Sequence, residues 1–268
     1  MSLTREKRTE LVCNLVPLAL WYVQRHHDLD QGDFSTFQRL LTAQTPIYRL
    51  TEFWDGTNHP ASGWEDERWN AICRKLYDLL QCQTVDFESA GAGLFTPTVL
   101  ARIDTDLRAW PWIPCGYCPY KLPDENIFGP FVYEKTVSSE HASGGRISIH
   151  IGNSRIPHSP FENMEQLRQD LLALVESVMI HHPTAKFIGC SSWLNSFDPF
   201  LTLFPKEWPQ PEVTPYKVSF GYNWWGQFVA RTGGFNFRNA KQMRTTGMFP
   251  FPVRNGYCTI ESLHRHLA

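Results

Sequence analysis

The apolar residues of this chain follow two different periods on either side of a proline-rich stretch near its middle. In the first part they recur at helical spacing. This spacing predicts four helices, over residues 4–28, 34–45, 64–82 and 96–110. Asp33 is suited to cap the second helix, and Thr96 followed by Pro97 is a typical helix start. We therefore expect the first 110 residues to form an all-helical lobe.

Residues 146–205 contain both periods, and they organise the second part of the chain. Ile147, Ile149 and Ile151 lie two residues apart, which is typical of a strand with one buried face. Leucines and valines at helical spacing between residues 161 and 182 then predict a helix. Residues 186–190 predict a short buried strand. A strand, a helix and a strand in this order form a βαβ unit with a parallel strand pair.

The remaining elements complete an α+β fold. Further strands are predicted at residues 131–137, 216–222 and 225–231, and further helices at residues 191–201, 236–246 and 259–267. Five prolines between residues 111 and 130 mark the boundary between two lobes. The sequence therefore predicts a helical N-terminal domain over residues 1–112 and a mixed α/β domain over residues 113–268.

Composition excludes several functional classes. Of the 268 residues, 42% are hydrophobic and 19% are charged, which is typical of an ordered globular protein. The net charge of -2 and the absence of long Lys or Arg runs argue against a nucleic-acid partner or a membrane surface. The first residues are too polar for a secretory signal, and seven cysteines are an odd number. We expect a cytoplasmic protein that acts on a small molecule.

The first candidate site residues lie in the loop after the strand at residue 150. In parallel sheets, ligands bind where loops leave the carboxyl ends of the strands. His150 and His158 flank this loop, and either could act as a general base because imidazole titrates near neutral pH. Asn153 lies between them as a candidate substrate-binding residue. Alternatively, His150 packs at a strand end and His158 bonds its own loop, or both ligate a metal.

The second candidate loop runs from residue 190 to residue 195, between a predicted strand and a predicted helix. Backbone N–H groups at a helix start can hold a phosphate, a carboxylate or an oxyanion. Ser192 is a candidate nucleophile, although the G-x-S-x-G motif is missing, and helix capping is the alternative role. The candidate binding residues here are Cys190, Ser191, Trp193 and Asn195.

Two further motifs carry side chains suited to chemistry or binding. Cys115 and Cys118 form a C-x-x-C, but the flanking prolines fit neither a thioredoxin-type site nor a zinc site with a second C-x-x-C. Trp225 and Gln227 share one face of the predicted strand, and Arg231 is suited to pair with a carboxylate or phosphate. These three residues are expected to shape an acceptor pocket. A structural strand with a buried Trp is the alternative.

Four short motifs occur in an order that resembles a bacterial N-acyltransferase family with a helical N-terminal domain and a GNAT-like C-terminal domain. The motifs are I-D-T-D-L-R-A-W (103–110), G-P-F-V-Y-E (129–134), I-S-I-H-I-G (147–152) and C-S-S-W-L-N (190–195). The resemblance covers roughly residues 95–205. The chain departs from the family where Gly152 replaces a proline, Ser191 a histidine and Asn195 a leucine. The Q-x-x-G-x-G/A pyrophosphate loop of acetyl-CoA-binding members does not occur in this chain.

The resemblance implies acyl transfer from acyl-CoA or another acyl thioester to an amine or hydroxyl of a small molecule. No metal is predicted, because no third ligand lies at a telling distance from His150 and His158. The positions that match the family motifs are His150, Cys190, Ser192, Trp193 and Leu194. His150 or His158 would then take the proton, and N–H groups near Ser191 and Ser192 would hold the oxyanion. Two other classes stay open: a metal-dependent enzyme that uses both histidines, and a ligand-binding protein without turnover.

Overall fold

The computed structural model describes residues 5–54, 66–82, 84–105, 126–136, 145–152, 158–213, 222–230 and 232–268. The α+β class predicted from the sequence is confirmed. The chain divides into two compact units, each built from two segments. We call residues 2–110 with 216–250 the helical unit, and residues 111–215 with 251–268 the sheet unit. The predicted boundary at residue 112 placed residues 216–250 in the second domain, whereas the structure groups them with the helical unit.

The secondary structure follows the chain in this order. The described helices are α1 (Arg5–Asp30), α2 (Phe34–Arg39), α3 (Ile47–Leu50), α4 (Glu67–Gln81), α5 (Phe87–Thr105), α6 (Met164–His181), α7 (Asp198–Leu201), α8 (Phe237–Thr246) and α9 (Ile260–Leu267). The described strands are β1 (Ile127–Phe128), β2 (Phe131–Thr136), β3 (Arg146–Ile151), β4 (Phe187–Ser192), β5 (Pro209–Val213) and β6 (Arg254–Thr259). Short 3₁₀ helices span Pro160–Glu162, Trp193–Ser196 and Tyr222–Phe228, and a π-helical turn spans Leu40–Gln44. None of the helices in these ranges has the length and apolarity needed to cross a bilayer.

In the helical unit, α1 buries the apolar stripe that the sequence predicted. Leu11, Leu15 and Leu18 are at most 1% exposed. Asp33 caps α2 as expected, because its side chain accepts a hydrogen bond from the Thr36 N–H at 2.9 Å. The unit is therefore a helical bundle whose core is built around its first helix.

The predicted start of the fourth helix was wrong. The helix α5 begins at Phe87 and carries Pro97 inside it, instead of beginning at Thr96. Asp86 caps this helix, since its carboxylate accepts hydrogen bonds from the Glu88 and Ser89 N–H groups. An aspartate cap ten residues upstream thus overrode the Thr-Pro signal.

The sheet unit contains the predicted βαβ unit. Its strand order is β1-β2-β3-β4-β6-β5. All neighbours are antiparallel except β3 and β4, which are parallel and are connected through α6. Leucines and valines of α6 pack with residues of α9 against one face of the sheet. The parallel strand pair expected from residues 146–190 is therefore confirmed.

The strand predicted over residues 225–231 was wrong. Residues Tyr222–Phe228 form a 3₁₀ helix in the helical unit. The Trp225 indole is fully buried and donates a hydrogen bond from Nε1 to the Gln44 carbonyl at 2.7 Å. Burial of this ring against the π-helical turn therefore decided the local structure. The other strand predicted in this region, over residues 216–222, lies almost entirely outside the described residues.

Candidate functional site

The two faces of the sheet differ in chemistry. Ile147, Ile149 and Ile188 point into the core beneath α6 and α9. The residues that alternate with them point the other way, and most are polar and half-buried. We call this second surface the polar sheet face, and its members are Glu134, Arg146, Ser148, His150, Gly189, Ser191, Asn255 and Tyr257.

The parallel strands part at their carboxyl ends. Their register covers three residue pairs and ends at Ser148 and Gly189. Nevertheless, β3 continues to Ile151 and β4 continues to Ser192. Over this region β4 stays paired with β6. An opening therefore begins between β3 and β4 where the two predicted site loops leave the sheet.

His150 lies beside this opening and is positioned by a carboxylate from the neighbouring strand. Its Nε2 lies 3.0 Å from Oε1 of Glu134 on β2. Glu134 pairs with Ser148 across the strands, so Glu134 and His150 are diagonal neighbours on the polar sheet face. The side chains of His150 and Glu134 are 28% and 37% exposed. An imidazole that donates from Nε2 to a carboxylate carries its basic lone pair on Nδ1.

Glu134 was not among the residues predicted for the site. It belongs to the quoted G-P-F-V-Y-E motif, but it was not chosen as a site residue. Its role depends on the register between β2 and β3, which brings it beside His150 from 16 residues away. The alternation of the two strands places both side chains on one face, and this was the available signal.

The hydrogen bond from His150 lowers the pKa of Glu134, while partial burial opposes this shift. Because the pKa of Glu134 is lower in the folded state, its carboxylate stabilises the fold at pH values above the ordinary glutamate pKa. This contribution is lost as the pH falls and the carboxylate becomes protonated. We expect Glu134→Gln to reduce the free energy of unfolding near pH 6 by less than about 1 kcal/mol, since both groups are partly solvated. The difference from wild type should shrink as the pH falls below about 4.3. Urea unfolding from pH 6 to pH 3 measures it, and a difference that grows toward acid would contradict this assignment.

His158, the other candidate base, lies in a different environment. Its side chain is 75% exposed, and its Nδ1 lies 3.2 Å from Glu162 in the adjacent turn. This local pair matches the alternative in which His158 bonds its own loop. Asn153 lies outside the described residues. Of the two histidines, His150 is the one that the sheet positions.

The serines of the second loop serve the local structure and the polar sheet face. Ser192 caps the 3₁₀ helix, because its Oγ accepts a hydrogen bond from the Leu194 N–H at 3.1 Å. One N–H group expected to hold an oxyanion is thereby engaged by the cap. Ser191 is exposed and donates to Oδ1 of Asn255 on β6. Ser191 therefore extends the polar sheet face across β4.

Trp193, the first residue of this 3₁₀ helix, is half-buried. Its ring packs against Phe251 with centroids 5.7 Å apart. Phe251 in turn contacts Phe197 edge-on at 6.3 Å. The carboxyl end of β4 thus carries partly exposed aromatic rings suited to contact an apolar group.

Cys190 and Asn195 lie in the core of the sheet unit. Burial raises the pKa of the Cys190 thiol to about 12, so this residue is not a thiolate at neutral pH. Asn195 is 0% exposed. Its amide donates to the Cys190 and Arg254 carbonyls and accepts from the Trp208 indole at 2.9 Å. In this arrangement the side chain of Asn195 connects β4, β6 and Trp208 within the core.

The residues predicted to shape an acceptor pocket belong to the helical unit. Trp225 is fully buried, and Gln227 is 2% exposed and donates to the Trp224 carbonyl at 2.9 Å. Asn239 donates to the carbonyl of Gln227 at 2.7 Å. Arg231 lies outside the described residues. Trp225 and Gln227 are therefore part of the packed interior of that unit.

The described residues contain no cluster of side chains suited to bind a metal ion. Among the residues that the structure describes, no group of three His, Cys, Asp or Glu side chains could hold a metal ion. His150 and His158 each pair with a glutamate instead. Cys115 and Cys118 lie outside the described residues, so the C-x-x-C stays a sequence observation.

Comparison of the chain with protein-family models, with curated proteins and with solved structures finds no match to any of them. The site itself is therefore the basis for the class of protein. The N-acyltransferase resemblance stays a prediction based on the quoted motifs.

Proposed function

We propose that this protein transfers an acyl group from a thioester donor to an amine or hydroxyl of a small molecule. One observation carries the proposal: β3 and β4 are parallel, their register ends at Ser148 and Gly189, and the Glu134–His150 pair lies beside the resulting opening. The motif resemblance to a GNAT-like lobe points to the same chemistry.

The opening between β3 and β4 suits an extended donor. Backbone groups at the edge of a strand recognise extended ligands by main-chain hydrogen bonds. The pantetheine arm of a thioester donor is linear and carries amide groups that can form such bonds. The half-buried rings of Trp193 and Phe251 flank the end of β4 and suit an apolar acyl group. The chain lacks the glycine-rich pyrophosphate motif, so we place the main recognition on the arm and the acyl group.

The Glu134–His150 pair suits proton removal from the acceptor. Nδ1 of His150 takes one proton from the amine or hydroxyl as its nitrogen or oxygen forms a bond to the thioester carbonyl carbon. The carbon–sulfur bond breaks, its electron pair stays on sulfur, and the proton held by His150 passes to that sulfur. Glu134 keeps Nε2 protonated and stabilises the imidazolium that forms in between.

We expect acetyl-, malonyl- or long-chain acyl-CoA to bind with a dissociation constant between about 1 μM and 1 mM, the usual range for enzyme substrates. Isothermal titration calorimetry measures this binding. S-acetyl-pantetheine, which lacks the nucleotide, is expected to retain most of the affinity because the arm is the recognised part. Free adenosine 3′,5′-bisphosphate serves as the control and is expected to bind more weakly. If no thioester binds, the proposed function is excluded.

A further inference from the structure

Arg146 occupies the middle of the polar sheet face. It begins β3, and its side chain crosses to β4, where Nη2 would lie 2.7 Å from a Cβ built on Gly189. Its Cζ lies 5.8 Å from the centre of the Tyr257 ring on β6. Because Gly189 has no side chain, the guanidinium can lie over three neighbouring strands.

This guanidinium has no acidic partner among the residues that the structure describes. Its Nε is buried and makes no hydrogen bond to any residue of the described ranges. By contrast, Arg244 forms a two-pronged pair with Glu88, and Arg265 pairs with Glu261. Glu134, the carboxylate on the same face, is bonded to His150. A half-buried guanidinium without a carboxylate favours an external anion, which it binds through two parallel hydrogen bonds.

The position of Arg146 relative to His150 limits the size of that anion. The guanidinium lies over Gly189, which is level with Ser148 in the parallel register. His150 is two residues further along β3, a separation of about 7 Å along the strand. Two hydrogen bonds of about 3 Å each take up most of this distance, so the two bound groups must lie close together on one small ligand.

We infer that Arg146 binds the carboxylate of the acyl acceptor, whose amine then lies at His150. The substrate class is a small amino carboxylate. A single guanidinium, on a face that also carries the Glu134 carboxylate, suits a monoanion better than a phosphate dianion, because the second negative charge would be repelled. The transfer step rests on the proposed function: the neutral amine forms the carbon–nitrogen bond, the carbon–sulfur bond breaks, and one proton passes from nitrogen through His150 to sulfur. Carboxylate binding itself does not depend on that step.

A pair of product-like probes tests the carboxylate site without any thioester. N-acetylglycine carries the carboxylate, and N-acetylglycinamide has nearly the same shape without the charge. Ligand-observed NMR titration measures both affinities. We expect N-acetylglycine to bind about 10- to 100-fold more tightly than the amide, which is the gain in affinity that hydrogen bonds to a charged group usually provide. N-acetylglycine should also bind more tightly than inorganic phosphate. Arg146→Gln should remove this preference, and Arg146→Lys should retain part of it as a point charge.

Arg265→Gln is the matched control, since it removes an exposed arginine of the same unit that is already paired with Glu261. It should leave the affinity for N-acetylglycine unchanged. Thermal unfolding of each variant checks the fold, and Arg146→Lys keeps the test valid if Arg146→Gln does not fold.

Equal binding of the two probes, tighter phosphate binding, or no response to Arg146→Lys and Arg146→Gln would overturn the inference. If thioesters bind but N-acetylglycine does not, only this inference fails. If no thioester binds but N-acetylglycine does, only the proposed function fails.

Discussion

Replacing Asn195 with alanine is expected to lower the free energy of unfolding of the sheet unit by about 3 kcal/mol. The Asn195 amide is fully buried and bonds the Cys190 carbonyl on β4, the Arg254 carbonyl on β6 and the Trp208 indole. The substitution leaves the buried Trp208 N–H without its acceptor, and such a group costs about 1–3 kcal/mol. It also leaves a cavity in a close-packed interior. Hydrogen exchange of the β4 and β6 amides reports the loss directly.

Asn163→Ala is the matched control for this prediction. Asn163 is exposed and caps α6 in the same unit by accepting from the Gln166 N–H at 3.0 Å. Loss of a cap costs about 1 kcal/mol. Asn195→Asp is a second comparison, because it keeps the acceptor for Trp208 and loses the donors. If Asn195→Ala costs no more than Asn163→Ala, the buried amide does not hold β4 and β6 together.

Replacing His150 with alanine is expected to lower kcat for acyl transfer by about 10²- to 10⁴-fold, the usual contribution of a general base. Thioester binding should be retained, since the imidazole acts on the acceptor. Release of the free thiol from acyl-CoA in the presence of an amino carboxylate measures the rate. His158→Ala is the matched control, and it should leave the rate unchanged because this histidine is exposed and paired within its own turn.

The variant Glu134→Gln distinguishes the role of the base, His150, from the role of Glu134, which positions it. We expect a smaller reduction of kcat than in His150→Ala and a change in the pH profile, because glutamine no longer stabilises the imidazolium. The double variant should be no slower than His150→Ala, since both residues act as one unit. A His150→Ala protein with full activity would exclude the proposed base. Bound thioester without any transfer would favour the ligand-binding class instead.

The elements that depend on local patterns were predictable. The stripes of α1 and α6 and the alternation of β3 are each written in consecutive residues, and these elements form where the pattern places them. The parallel pairing of β3 and β4 followed from the order strand, helix, strand. His150 could be chosen because it lies near the carboxyl end of an alternating strand. These features need only the neighbouring residues and the chirality of the chain.

The predictions of secondary structure failed where a residue contacts a partner far away in the sequence. The sequence analysis did not predict β6, whose Asn255-Gly256 pair has the composition of a turn. In the structure, Gly256 instead leaves room for the Trp208 indole, which lies where a Cβ would be. Trp225 was expected on a strand and lies in a 3₁₀ helix, where its indole bonds the Gln44 carbonyl from 181 residues away. Such contacts join segments whose pairing no local period encodes.

The sequence by itself determined the α+β class, the parallel strand pair and the loop that begins at His150. Only the tertiary structure brought Glu134 beside His150, placed Arg146 over Gly189, and turned Cys190 and Asn195 into the core. The physical reason is that a strand's own period decides which side chains share a face. The register against its neighbours decides which of them meet, and long-range hydrogen bonds and packing set that register.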